Sequence, residues 1–211
     1  MAVLLAVFAF TTYCAVTGCF ESFENEIARF LNPNHQENIV PMIFSTVGEY
    51  YVIIAIIAVL ILIPSSRVRV GLPAGITTLV SVLANEGIKK LICRERPVAR
   101  LLQNTFLEVH GYSFPSGHAM NSAAMYVCAM LLMLPLCREK WQKILTVSVG
   151  TVMPLGIGLS RVYFSVHFVS DVFGGWCLGS FFGILGATVY LKLKGNKADG
   201  KNFAEAEISG R

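Results

Sequence analysis

Charge is what this sequence has least of. Only 14% of its 211 residues are Asp, Glu, Lys or Arg while 55% are hydrophobic, against the roughly 25% charge of ordinary soluble domains. A soluble helical protein keeps a polar face at every turn; the long apolar runs here leave none, which excludes that class and points to a bilayer. No Lys or Arg precedes Cys19, so the basic start of a secretory signal is missing. Val16-Thr17-Gly18-Cys19 looks like a lipoprotein cleavage site, but the first run is expected to be retained as a helix. The six cysteines, at positions 14, 19, 93, 128, 137 and 177, include no CxxC pair and no metal-ligand spacing, which reads them as small packing residues. There is no repeat at the ~20–50-residue periods of solenoids, and no linker long enough to divide the chain.

What is present is about six apolar runs, over residues 1–20, 47–64, 68–88, 118–136, 144–159 and 168–193, each near the ~20 residues a helix needs to span a membrane. The expected fold is all-α: a polytopic bundle of about six transmembrane helices. Residues 21–31 place Phe20, Phe23, Ile27, Phe30 and Leu31 at helical spacing with acids opposite. That pattern suits a short helix lying in the headgroup layer, with an ordinary polar loop as the other reading. In the last run Gly175, Gly179 and Gly183 recur every four residues, a face for close helix approach, inside the bundle or at a dimer seam. The membrane domain is expected over residues 1–194, and residues 195–211 form a polar, mobile cytoplasmic tail.

Orientation follows from Lys and Arg in the loops. Arg67 and Arg69, then Arg138, Lys140 and Lys143, then Lys192, Lys194, Lys197 and Lys201 share one side, expected to be cytoplasmic. The opposite side holds the acidic stretch 21–34, the loop 89–117 and the turn 161–167. The central loop breaks the rule, because Lys89, Lys90, Arg94, Arg96 and Arg100 lie on the wrong side. Their presence there suggests that they bind an anion.

Chemistry-bearing residues gather at span ends on that same side. Lys89 is followed by six residues and then Arg96-Pro97; Phe114-Pro115-Ser116-Gly117-His118 enters the fourth span; Ser160-Arg161, His167 and Asp171 join the fifth to the sixth. A single cation at a span end is usually a snorkelling anchor. Together, Lys89, Arg96 and Arg161 can neutralise a phosphate monoester of about −1.5 to −2 charge, and an arginine fork can hold two of its oxygens. Pro115-Ser116-Gly117 reads as a helix start whose free amides make an anion site; a simple cap before a buried His118 is the bland alternative. His167 and Asp171, four apart, share one helix face. The acid can hold one imidazole nitrogen as N–H and leave the other bare for attack.

These three ordered motifs, spanning Lys89 to Asp171, resemble the type-2 phosphatidic acid phosphatase superfamily, whose phosphate cage is shared with vanadium haloperoxidases. The span order and the helix-like stretch after the first also resemble small bacterial six-helix members acting on phosphatidylglycerophosphate or undecaprenyl pyrophosphate. The resemblance implies a metal-independent lipid phosphatase without a cofactor. In it His167 attacks phosphorus to form a phosphohistidine, and Asp171 orients it. His118 protonates the leaving alkoxide and then activates water, while Lys89, Arg96, Ser116, Gly117 and Arg161 hold the phosphoryl oxygens. The implied setting is the cell membrane, with the site on the extracytoplasmic face. The partners are a lipid phosphate and the bilayer, with no nucleic acid and no obligatory protein partner.

Other readings stand beside it. His118, His167 and Asp171 make a plausible zinc set, but three nearby cations would repel the ion. A lipid-phosphate carrier, with Glu86 as the intramembrane acid to watch, fits less well because the charges gather at one interface. A haloperoxidase is disfavoured by the membrane spans. The phosphate-cage residues leave open the choice among phosphatidylglycerophosphate, slightly preferred on the resemblance, phosphatidic acid and undecaprenyl pyrophosphate. That choice belongs to the entrance and to residues 98–114, with Arg100, His110, Tyr112 and Phe114.

Overall fold

The computed structural model describes residues 1–31, 38–97 and 111–209, all helix and connecting turns with no strand among the described residues. Arg100 and His110 of the entrance loop therefore lie outside the described residues. Four helical segments are each long and apolar enough to cross a bilayer: Pro64–Ile92, Gly117–Leu136, Lys140–Tyr163 and Val169–Gly195. Two bent pairs raise the number to six if each is one span. The chain is thus a multi-pass membrane helix bundle.

The first bent pair is α1 (Ala2–Thr17) and α2 (Glu21–Leu31), which meet at 98°. Gly18 makes that corner, its φ of +67° ending α1 while its N–H bonds the Cys14 carbonyl at 2.9 Å; a side chain there would strain the left-handed backbone. α2 is amphipathic in an unexpected sense. Phe23 and Phe30 point outward, 59% and 84% exposed, while Glu24 is buried. Ile27 packs against Ala119, Val162 and Val172. The phenylalanines suit a helix lying along the membrane surface, and the inward acid has a task at the site.

The second pair is α3 (Ile39–Val47) and α4 (Tyr50–Leu62), bent by 58°. The sequence reading drew one run from 47 to 64 and missed α3, because apolar residues continue on both sides of the corner. The break comes from Gly48 and Glu49. A Cβ on Gly48 would stand 2.5 Å from Ile157 and 2.9 Å from His118, so only glycine fits. Glu49 is extended, with φ −65° and ψ 146°.

A short helical turn at Pro64–Ser66 and a π turn at Arg67–Gly71 lead into α5 (Leu72–Ile92). α6 (Gly117–Met133) is the central helix, α7 (Lys140–Tyr163) follows, and α8 (Val169–Ser209) closes the chain. The backbone of α8 continues unbroken beyond Lys194, where the sequence reading set off a mobile tail. The glycine face of α8 is spent inside the bundle. A Cβ on Gly175 would meet the Ser116 carbonyl at 2.8 Å, one on Gly183 the Ala124 carbonyl at 3.0 Å, and one on Gly179 the Met120 carbonyl. Without those side chains the two backbones approach closely, and dispersion and weak backbone contacts hold them where apolar burial gives no drive.

Candidate active site

His167 sits in the turn between α7 and α8, ordered by its backbone. The His167 and Val166 amides both donate to the Arg161 carbonyl, at 3.3 and 3.1 Å. Asp171 lies one turn into α8 and is fully buried, while His167 is 2% exposed. The i,i+4 spacing brings His167 Nδ1 to 3.4 Å from Asp171 Oδ2. The same carboxylate oxygen accepts from the Phe168 amide at 2.9 Å and from the Ser113 hydroxyl. Ser113 Oγ is also 3.3 Å from His167 Nδ1. One face of the imidazole is thus fixed, and Nε2 is the nitrogen left to react.

Arg96 occupies that other face. Its Nη1 stands 3.1 Å from His167 Nε2 and donates to the Val166 carbonyl at 3.1 Å, while Nε donates to the Gly111 carbonyl at 3.0 Å. Arg161, on the last turn of α7, is 3% exposed. It donates from Nη1 to the Ser45 hydroxyl, and its Nε has no hydrogen-bond partner among the described residues. A buried guanidinium N–H without a protein acceptor is a donor that an anion can use. Lys89, at the end of α5 and partly buried, lies within electrostatic reach of Arg96, Arg161 and Asp171.

The second motif supplies the start of α6. Ser116 is its N-cap, with Oγ 3.5 Å from the Ala119 amide, and its own N–H donates to the Asp171 carbonyl at 3.0 Å. That bond ties the anion-binding helix start to the helix carrying the acid. The peptide between Phe114 and Pro115 is cis. Asn85 of α5 holds the Pro115 carbonyl at 3.2 Å, and a Cβ on Gly117 would meet the Tyr50 hydroxyl at 2.9 Å. His118 is 13% exposed, and its Nε2 lies 3.2 Å from Glu49 Oε1, close enough for an ion pair though off the line of a hydrogen bond.

Burial sets the protonation of the nucleophile candidate. Desolvation pushes His167 down to about 3, with Arg96 and Arg161 adding to the effect and Asp171 opposing it, so the ring is neutral at physiological pH. Arg96 is also held below the usual guanidinium range by burial, with Asp171 and Tyr50 opposing. It stays charged, because the usual value lies far above neutrality.

The structure therefore brings together Lys89, Arg96, Ser116, Gly117, His118, Arg161, His167 and Asp171. It separates Arg94 from the anion-binding cations with which the sequence reading grouped it. Arg94 bonds Asp171 Oδ1 at 2.6 Å, Glu24 at 2.9 Å and the Ser170 hydroxyl at 2.7 Å, over the Phe168 ring at 4.1 Å. Glu24 in turn accepts from the Ser170 amide at 2.6 Å. Sequence reasoning missed Glu24, Ser113, Glu49 and Asn85. Only Glu49 left a clear signal, an acid between Val47 and Tyr50 in an apolar stretch, the kind of residue that marks function in a membrane.

Comparisons with known proteins agree with this layout. A family model described as PAP2 superfamily matches residues 70–194. Phosphatidylglycerophosphatase B of Bacillus subtilis (strain 168) is 43% identical over 101 residues, and this alignment spans about half of each chain, 46%. Undecaprenyl-diphosphatase of Sulfolobus acidocaldarius is 29% identical over 171 residues, 79% of this chain and 78% of that one. Among solved structures, a transmembrane PAP2-type phosphatidylglycerolphosphate phosphatase from Bacillus subtilis superposes with a TM-score of 0.78 at 24% identity, covering 90% of this chain and 96% of the other. Aquifex aeolicus LpxE follows at 0.57 and 24%, covering 77% and 93%. At such identities the structural likeness is one of fold.

Proposed function

The chain belongs to the PAP2 superfamily, and from that premise we propose that it is a membrane lipid phosphatase working through a phosphohistidine. The observation that carries this reading is the bracketing of one imidazole: Nδ1 lies 3.4 Å from the Asp171 carboxylate and Nε2 lies 3.1 Å from the Arg96 guanidinium. An arriving phosphate takes over Arg96, Arg161 and Lys89 as partners and so comes to rest against Nε2. Donors already in place around a water-poor pocket stabilise charge as it develops on the phosphoryl oxygens. The start of α6 from Gly117 onward adds its first-turn amides, the Ser116 N–H being already bonded to the Asp171 carbonyl.

In the first step the Nε2–P bond forms as the bond from phosphorus to the lipid oxygen breaks, and His118 gives its proton to that oxygen. In the second, His118 takes a proton from water, whose oxygen bonds phosphorus as the P–N bond breaks. Inorganic phosphate leaves, and His118 again carries the proton it began with. Asp171 stabilises the charge on His167 in both steps.

Phosphatidylglycerophosphate is the preferred substrate, supported by the 43% identity to a protein named phosphatidylglycerophosphatase B. A pyrophosphate is the second reading, supported by the longer alignment to an undecaprenyl-diphosphatase. The site is assigned to the extracytoplasmic face because Arg67, Arg69, Arg138, Lys140 and Lys143 mark the opposite ends of the spans. Phosphate release by purified protein from phosphatidylglycerophosphate, phosphatidic acid and undecaprenyl pyrophosphate, measured without any gradient, tests both activity and order of preference. Full activity of a His167→Ala variant would refute the nucleophile.

A further inference from the structure

We infer that Glu49 is the positioning residue for His118, so that the site holds two imidazole–carboxylate pairs rather than one. This rests on the reading of His118 as the proton donor to the leaving group. Glu49 stands at the corner between α3 and α4, where an N-cap side chain would ordinarily accept from the first backbone amides of the helix. It makes no such cap bond; instead its Oε1 lies 3.2 Å from His118 Nε2. The corner is shaped around the ring. Gly48 leaves no room for a Cβ, which would stand 2.9 Å from His118 Cδ2, and the Tyr50 ring meets the imidazole edge-on at 6.2 Å and 61°.

The charged groups facing His118 are Glu49 from the corner, Arg161 from α7 and Lys89 from α5. Two of these are cations, and they oppose a charged ring. The carboxylate works in the opposite sense and favours the protonated ring that a proton donor needs. With the Glu49 carboxylate beside Nε2, Nδ1 is the nitrogen that would serve the leaving oxygen. The Glu49 side chain is 32% exposed and that of His118 13%, so this pair is less deeply buried than the His167 pair.

The test uses the full chain in detergent with two phosphate monoesters. Dihexanoyl phosphatidic acid has a poor alkoxide leaving group that needs a proton; p-nitrophenyl phosphate has one that does not. First-turnover release of the leaving group isolates the step in which His118 acts as acid, since hydrolysis of the phosphoenzyme needs it as base for either ester. Glu49→Gln is expected to slow first-turnover release from the lipid by about 10-fold or more at saturation, with KM within about 2-fold. The aryl ester should change by less than about 3-fold. Glu49→Asp, which keeps the charge, should recover part of the lipid rate, and unchanged elution and melting certify the fold of both variants. Equal slowing on the two esters, a change in KM alone, or no change at all overturns the role. Wild type active, His167→Ala inactive and Glu49→Gln unchanged would overturn Glu49 alone; wild type releasing phosphate from neither ester, nor from phosphatidylglycerophosphate or undecaprenyl pyrophosphate, overturns the phosphatase reading as well.

Discussion

The two histidines of the site live in opposite surroundings. His167 and its acid are sealed, at 2% and 0% exposure, and Arg94 and Ser113 hold the acid a second time from behind. His118 and Glu49 are less buried, with one carboxylate oxygen beside the ring and no such backing among the described residues. The difference matches the demands of the role proposed for each ring. A nucleophile must be neutral and motionless, which desolvation and a rigid acid provide. A group that gives and retakes a proton must reach water and tolerate a change of charge, which a half-open pair allows.

The sharpest way to break this contrast is His167→Ala, expected to lower turnover by about 10⁴-fold or more on every phosphate ester, aryl or alkyl, with the fold retained. Retained turnover would mean that the sealed ring is structural. Next comes the backing of the acid. Arg94→Ala leaves Glu24 and Asp171 buried without their cation, a loss of about 3–5 kcal/mol of stability by the usual cost of an orphaned buried charge. It should appear as a much lower melting temperature in detergent, with Glu24→Gln milder. A melt unchanged by Arg94→Ala would show that the acid is not clamped.

His118→Ala is expected to slow first-turnover release from a lipid ester by about 10²-fold and from p-nitrophenyl phosphate far less, so that phosphoenzyme accumulates with the aryl ester. Equal slowing of both first turnovers would make the two histidines alike. The last effect, the smallest per unit step, is one of pH. His167 in the folded protein is pushed down to about 3, whereas the unfolded chain takes up its proton near the ordinary value of about 6.5. Its contribution to stability is therefore complete above that ordinary value and is lost as pH falls through the window toward 3. The loss is at most about 1.4 kcal/mol per pH unit. A His167→Asn variant should show a flatter melting profile across that window.

The sealed pair was the more legible of the two. His167 and Asp171 are four apart on one chain segment, His167 in the turn just before α8 and Asp171 in its first turn, and that short spacing puts them together. Arg96, Arg161 and Lys89 stood out because cations are costly and rare beside apolar runs. Arg94 stood out for the same reason and was misread, since a count of charges cannot distinguish a cation waiting for an anion from one already buried against Glu24 and Asp171. Glu24 itself was hidden by distance, because 147 positions separate it from Asp171 and no periodicity links them. The His118 pair was half visible. Its histidine belongs to a motif, but its acid lies on another helix pair whose corner the continuous apolar composition concealed. The bundle was legible from apolar length, whereas the bends were not, because they depend on what Gly18 and Gly48 touch.

The row of glycines on α8 sets a tolerance for the whole catalyst. Gly175 lies against the Ser116 carbonyl, and Ser116 bonds the Asp171 backbone. The separation between the start of α6, proposed to hold phosphate, and the support of the proposed nucleophile is thus gauged by bare main chain on both sides, with nothing compressible in between. A single methyl group added there would act as a shim. It would part the two halves of the machine by a few tenths of an ångström while leaving every reactive group present and chemically intact, so an inactive variant could keep a full complement of catalytic residues.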